Sequence, residues 1–156
     1  MAKEIERKFL VRDESWRGGA PGRPYLQGYL SRDPERIVRV RQAGPSAFIT
    51  IKGVTQGTTR QEFEYPIPLS DAEVLMKLCL RPLIEKTRSI VQYHGKRWEV
   101  DEFRGENEGL VLAEIELTRE DEPVDLPPWI GEEVSHDARY YNANLVENPF
   151  TRWSNK

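Results

Sequence analysis

Charge recurs at every second residue along most of this chain, and a β-strand is the backbone conformation that sends successive side chains to opposite faces with that period. From Glu4 to Val11 the chain reads Glu-Ile-Glu-Arg-Lys-Phe-Leu-Val, so Glu4, Glu6 and Lys8 share one face while Ile5, Phe9 and Val11 share the other. The same alternation places Tyr25, Gln27 and Tyr29 together, Arg39 and Arg41 against Val38 and Val40, and Phe48, Thr50 and Lys52 against Ile49 and Ile51. It continues with Arg60, Glu62 and Glu64 opposite Phe63 and Tyr65, with Lys86 and Arg88 on one face of 83–93, and with Glu99 and Asp101 opposite Trp98 and Val100. Glu114 and Glu116, opposite Ala113, Ile115 and Leu117, complete the series. Gly- and Pro-bearing turns at 18–22, 33–34, 53–57 and 94–95 separate the runs, so eight antiparallel strands are expected. Ser70-Asp71-Ala72-Glu73 has the form of a capping box, and the spacing of Val74, Leu75 and Leu78 predicts a helix over 70–80 that Arg81-Pro82 stops. Asp125 to Gly131 reads as a proline-bearing connection, and Ser135 as the cap of a short C-terminal helix through Arg139, Tyr140 and Leu145.

The 156 residues fit one domain over 1–156, with no internal repeat or linker. A net charge of -3 gives no general attraction to nucleic acid, so basic character must be local. The apolar stretches fall far short of the roughly 20 residues that span a bilayer, so no membrane segment is expected. The lone Cys79 has no partner for a disulfide and Met1-Ala2-Lys3-Glu4 lacks a secretory apolar run, which points to a reducing cytoplasm. Cys79, His94 and His136 are scattered singly and offer no thiolate or imidazole zinc site. Any metal is therefore expected to be a hard cation on oxygen ligands.

Taken singly, each alternating strand is most simply a half-buried sheet with its charged face in water. Together the strands say more. Residues i and i+2 lie about 6.5 to 7 Å apart on one face, and four strands put two acids there: Glu4/Glu6, Glu62/Glu64, Glu99/Asp101 and Glu114/Glu116. Such pairs are tolerable in water and costly inside unless cations join them. Lys8, Arg39, Arg41, Lys52, Arg60, Lys86 and Arg88 occupy the same charged faces. Eight strands closed into a barrel leave an interior just wide enough for side chains or one small ligand. An interior lined by both signs suits a polyphosphate with its metal, since arginine forks bind phosphate oxygens and Mg²⁺ takes a few carboxylates plus water and phosphate oxygens. The fold expected is an eight-stranded antiparallel barrel forming a polar tunnel, mainly β with a few flanking helices. Its apolar alternates, among them Ile5, Phe9, Val38, Val40, Ile49, Ile51, Phe63, Val100, Ile115 and Leu117, must then bury against the helices or a partner subunit, which suggests a homodimer.

Glu4-Ile-Glu6-Arg-Lys8 resembles the Glu-x-Glu-x-Lys signature of the CYTH superfamily, the triphosphate tunnel metalloenzymes. Arg39-Val-Arg41, Thr50-Ile-Lys52, Arg60-Gln-Glu62-Phe-Glu64, Glu85-Lys86-Thr-Arg88, Glu99-Val-Asp101, Ala113-Glu114-Ile-Glu116 and Gly131 to Tyr140 follow in that family's order, nearly the whole length of the chain. The short form and Gln27-Gly28-Tyr29-Leu30 are most similar to bacterial inorganic triphosphatases. The resemblance implies that Glu4, Glu6, Glu114 and Glu116 hold Mg²⁺ or Mn²⁺, and that Glu62, Glu64 and Asp101 support a second cation or position water. It implies that Lys8, Arg39, Arg41, Lys52, Arg60, Lys86 and Arg88 grip a triphosphate, with Arg139 either completing that site or capping a helix C-terminus. Lys52 or Lys86, crowded by cations, either activates water as a partly neutral amine or stays charged and binds phosphate, with Tyr29 as the alternative proton acceptor. The substrate expected is inorganic triphosphate, with ATP or thiamine triphosphate as further candidates. A class IV adenylate cyclase and a non-catalytic polyphosphate-binding module are the alternatives. Glu99 has no assigned role, Tyr140 and Trp129 are read as packing, and Arg7, Arg32, Arg36 and Glu120 to Glu122 as solvated charge.

Overall fold

A computed structural model describes residues 3–19 and 21–154. Among them nine strands form in chain order: β1 Lys3–Val11, β2 Arg23–Ser31, β3 Ile37–Ala43, β4 Ser46–Lys52, β5 Thr59–Ile67, β6 Ile84–Tyr93, β7 Lys96–Phe103, β8 Val111–Glu116 and β9 Ile130–Glu133, with helices α1 Leu69–Leu78 and α2 Asn142–Glu147. The sheet runs β5-β4-β3-β2-β6-β7-β8-β1-β9, and all its pairings are antiparallel. Pairing of Lys3, Glu4 and Ile5 with Gln61, Arg60 and Thr59 joins β1 back to β5 and closes the first eight strands into the expected barrel.

Three local readings are corrected. The proline-bearing connection ends in an additional strand, β9, which pairs with β1 at Phe9 and Val11 on the edge opposite β8, while Trp129 and Ile130 enter the core. Helix α1 begins at Leu69 behind Pro68, with no side-chain cap, because the Pro68 carbonyl accepts from Ala72 N at 3.1 Å and leaves Ser70 inside the first turn. Ser135 caps no helix. Its hydroxyl accepts from Lys8 N at 2.9 Å and donates to Glu133 at 2.6 Å, and Asp137 instead caps a single 3₁₀ turn, Ala138–Tyr140, ahead of α2.

Because much of the interior face is charged, apolar burial must be found outside it or at its end, and it is found in three places. On the outer face of β1, β7 and β8, Phe9, Trp98, Val100, Ala113 and Ile115 pack with Trp16, Trp129 and Ile130. The cover there is the loop segment carrying Trp16 and the segment from Trp129 into β9, where helices or a partner subunit were expected. Helix α1 lays Ala72 and Met76 over Val40 and Ala47. At its C-terminal end Cys79 sits so close to β2 that a Cβ on Gly28 would meet Cys79 Cβ at 2.7 Å and Leu83 Cδ2 at 2.8 Å, so only glycine fits. Ile51 and Phe63, expected to be covered, remain 40% exposed on the outer face of β4 and β5.

The third cluster lies inside one end of the barrel. Tyr29, Ile37, Ile84, Phe103 and Leu112 share the inward parity of the charged residues, and they pack with Tyr140, Leu145, Val146 and Trp153 of the C-terminal segment. Trp129 and Tyr140 are thus packing residues, as read from the sequence. The segment seats on the barrel end and leaves the charged part of the interior beyond it. Leu145 is 0% exposed, so Leu145→Ala is expected to cost about 2 to 5 kcal/mol of stability, measured as a lowered urea midpoint at unchanged m. A loss below about 0.5 kcal/mol, the range of surface substitutions, would mean that the segment is not seated in solution.

Candidate active site

The inward residues of β1 to β8 enclose a cavity of about 590 Å³, within the usual range of ligand sites. Closing the sheet brings together Glu4, Glu6 and Lys8 from β1, Arg39 and Arg41 from β3, Lys52 from β4, and Arg60, Glu62 and Glu64 from β5. Tyr29, Lys86, Arg88, Glu99, Glu114 and Glu116 complete the wall. Two sequence candidates lie elsewhere. Asp101 is 1% exposed behind the wall and both its oxygens are engaged. Arg139 is turned outward to Asp137 and stacks over Tyr140 and Trp153.

The acids crowd one side. Across the β1–β8 ladder Glu6 faces Glu116 and Lys8 faces Glu114, while Glu114 faces Glu99 across β7–β8. Like charges directly opposite destabilise a sheet. Burial, and then the charges of Glu114 and Glu4, push the Glu6 carboxyl well above the usual carboxylate range. Burial and Glu4 raise Glu116 as well. Burial opposes ionisation of Glu114 too, but Lys8 and other cations outweigh it and hold that carboxyl at about 2. Glu4 is likewise lowered against its burial by Lys52, whose Nζ lies 3.1 Å away. Lys52 reaches Glu62 at 3.5 Å, and burial together with Glu4 raises the Glu62 carboxyl to about 7. This repulsion is what a hard divalent cation relieves, and the donors are all carboxylate oxygens. Among the described residues no three acidic, histidine or cysteine side chains converge into a ready cage. Mg²⁺-type sites use one or two carboxylates and fill the rest with water and phosphate oxygens, so the set fits such a cation.

The basic side is held in place by ion pairs. Asp101 accepts from Arg88 Nε at 2.7 Å and Nη2 at 2.8 Å, and from Lys86 Nζ at 2.8 Å. Burial alone would raise the Asp101 carboxyl, but these two cations hold it far below the usual range. Burial, joined by Arg88 and Arg41 and opposed by Asp101, brings the Lys86 ammonium down to about 7. Burial and then Arg39 and Arg88 lower Arg41 to about 10. Arg39 donates to Thr50 at 3.1 Å and Glu64 at 3.3 Å, while its buried Nε finds no acceptor among the described residues, as expected of a donor waiting for an anion. Glu99 balances Arg88 and Arg97.

Sequence reasoning overlooked three residues. Arg32, read as solvated, lines the cavity and pairs with Glu147. Gln27 was legible on the face of Tyr29 but carried no charge to mark it. Asn142, which lines the cavity and accepts from Lys86 Nζ at 2.8 Å, opens the short helix α2 and, being uncharged, carried no signal that marked it as part of the site.

Residues 2–147 match the CYTH domain family. The chain is 50% identical over 151 residues to the inorganic triphosphatase of Acetivibrio thermocellus, covering 96% of this chain and 97% of that one. It is 39% identical over 147 residues to the inorganic triphosphatase of Nitrosomonas europaea, covering 92% and 96% respectively. A solved structure of an inorganic triphosphatase, 37% identical, superposes with a TM-score of 0.67 over 94% of this chain and 95% of that one.

The raised Glu62 carboxyl sets a pH dependence of stability. Its folded pKa of about 7 lies above the ordinary 4.5, so between those values the folded state binds more protons than the unfolded one. The stability it contributes is fully present below pH 4.5 and lost as pH rises through 7. In chelator-treated protein Glu62→Gln is expected to flatten the fall in thermal midpoint across that interval. An equal fall in both proteins would mean that Glu62 titrates normally.

Proposed function

The chain belongs to the CYTH domain family, and from that premise we propose that it hydrolyses inorganic triphosphate to pyrophosphate and phosphate in the barrel interior. The observation that carries the reading is one cavity in which buried cations, among them Arg39 with an unpaired Nε, face carboxylates that repel one another. A bound divalent cation, Mg²⁺ or Mn²⁺, supplies neutralisation of charge on the phosphate oxygens. Glu4, Glu6, Glu114 and Glu116 would hold it, with Glu62 and Glu64 beside them. No role in holding metal is proposed for Asp101, whose oxygens anchor Lys86 and Arg88.

Arg39, Arg41, Arg88 and Lys8 present donors along the chain of phosphates and orient the terminal phosphorus for in-line attack. Lys86 receives a proton from the attacking water. The water oxygen forms the new bond to phosphorus as the bond from phosphorus to the bridging oxygen breaks, and pyrophosphate leaves. Lys86 suits this role because burial brings its ammonium near neutrality at pH 7, whereas Lys52 is bound between Glu4 and Glu62 and serves as a binding cation. Tyr29, on the same wall, is a second group able to exchange a proton with the site.

Phosphate release from inorganic triphosphate, ATP, thiamine triphosphate and pyrophosphate, measured side by side with and without Mg²⁺ or Mn²⁺, tests the reading. Inorganic triphosphate is expected to show much the largest kcat/KM and an absolute need for added cation, with no cyclic AMP formed from ATP. Glu114→Gln should abolish turnover in a protein that still folds. Full rate after chelation, or cyclic AMP at a rate matching phosphate release, would overturn the assignment.

Lys86→Arg keeps the charge but removes the base, and is expected to lower kcat by about 10² to 10⁴. Near-full turnover in that variant at alkaline pH would exclude Lys86 as the base.

A further inference from the structure

Gln27 is the one carboxamide 0% exposed among the described residues of the wall strands, and nothing in the reaction as derived requires it. Its partners fix its orientation. Arginine only donates, so the contact with Arg41 Nε at 3.1 Å turns the Gln27 Oε1 toward Arg41. The amide nitrogen must then face the other way, where it lies 3.2 Å from Tyr29 Oη and 3.1 Å from Asn142 Oδ1.

Each of these contacts constrains the next group. Tyr29 Oη accepts from Gln27, so its own proton points away from Gln27. Asn142 Oδ1 accepts from Gln27 and also from Lys86 Nζ at 2.8 Å, which forces the oxygen of that amide, rather than its nitrogen, to face the lysine. Lys86 Nζ therefore has two acceptors, Asn142 and Asp101, both at 2.8 Å. With Cε and the two acceptors placed, the amine has one tetrahedral direction left, and Lys86 is among the residues that line the cavity. The aim is the same whether the remaining position carries a proton or a lone pair. Asp101 alone would leave the amine free to rotate about its single contact.

We propose that Gln27 and Asn142 are positioning residues for the hydrolytic step: Gln27, locked by Arg41, orients the Tyr29 hydroxyl and the Asn142 amide, and Asn142 aims Lys86 Nζ at the attacking water. The inference rests on the role given above to Lys86 and adds that the site is completed only when the C-terminal segment carrying Asn142 is seated. It also links a phosphate-binding arginine to the base through an uncharged relay.

The test compares kcat and KM for inorganic triphosphate, with saturating Mg²⁺, in Asn142→Ala, Gln27→Met and the double variant, with thermal midpoints recorded for each. Asn142→Ala is expected to lower kcat by roughly 10- to 100-fold while KM and the midpoint stay close to the parent, because the half-buried amide binds no phosphate in this account. Gln27→Met should fall in the same direction, and the double variant should be no slower than the slower single one, as for residues acting in one chain. Asn142→Asp, which keeps the acceptor oxygen but adds a charge that favours the ammonium, should recover part of the loss at alkaline pH. Unchanged kcat in Asn142→Ala, a loss confined to KM, or losses that multiply in the double variant would overturn the relay. Lys86→Arg run in parallel separates the two levels: if it is slow while Asn142→Ala is not, the relay alone is wrong. If Lys86→Arg turns over fully, the base and the relay fall together.

Discussion

A closed sheet whose inner face is charged cannot be stabilised from within, and the rest of the structure follows from that constraint. Desolvated lysines and arginines are costly unless acids meet them, and here Asp101 holds Lys86 and Arg88, Glu64 holds Arg39, and Glu4 with Glu62 holds Lys52. The hydrophobic driving force has to come from outside the sheet and from one end. The loop segments carrying Trp16 and Trp129, helix α1, and the C-terminal segment supply it. The elements that do no chemistry are therefore the ones that make the chemical interior affordable.

Within the interior the two signs are sorted. The β1–β8 ladder sets Glu6 against Glu116, with Lys8 beside Glu114, whereas β3 and β6 face the cavity with Arg39, Arg41, Lys86 and Arg88. Glu6 and Glu116 stand above the ordinary carboxylate range because burial and neighbouring acids oppose their charge, and Lys86 stands below the ordinary ammonium range because burial and neighbouring cations oppose its charge. Groups perturbed in opposite senses on two sides of one cavity are what a functional site produces.

The barrel, its strand boundaries and most of the wall were legible in the sequence because a period of two is a local property. Where charge marks every second residue, as in Glu4-Glu6-Lys8 or Arg39-Arg41, inward and outward faces can be told apart before any pairing is known. The additional strand β9 was missed because Ile130 to Glu133 is short and lacks alternation, and Ser135 was misread because its partner, Lys8, lies far away in sequence. Asp101 shows the limit of parity: it shares a face with Glu99, but whether an inward acid meets solvent or two cations depends on β6, which only the register reveals. Arg139 was placed by family order alone, and a 3₁₀ turn carries it out of the cavity.

Each barrel strand thus threads two interleaved sets of residues on one backbone, one facing the interior and the other the outer packing. Gly28 is where the two sets meet. It lies between Gln27 and Tyr29, yet it faces Cys79 so closely that no side chain fits. Any bulk added there would meet Cys79 and Leu83 from the outside, at a backbone position flanked by two side chains, Gln27 and Tyr29, that face inward. The seat of the outer helix and the inner wall thus share one backbone position, and a single missing side chain is what lets both fit.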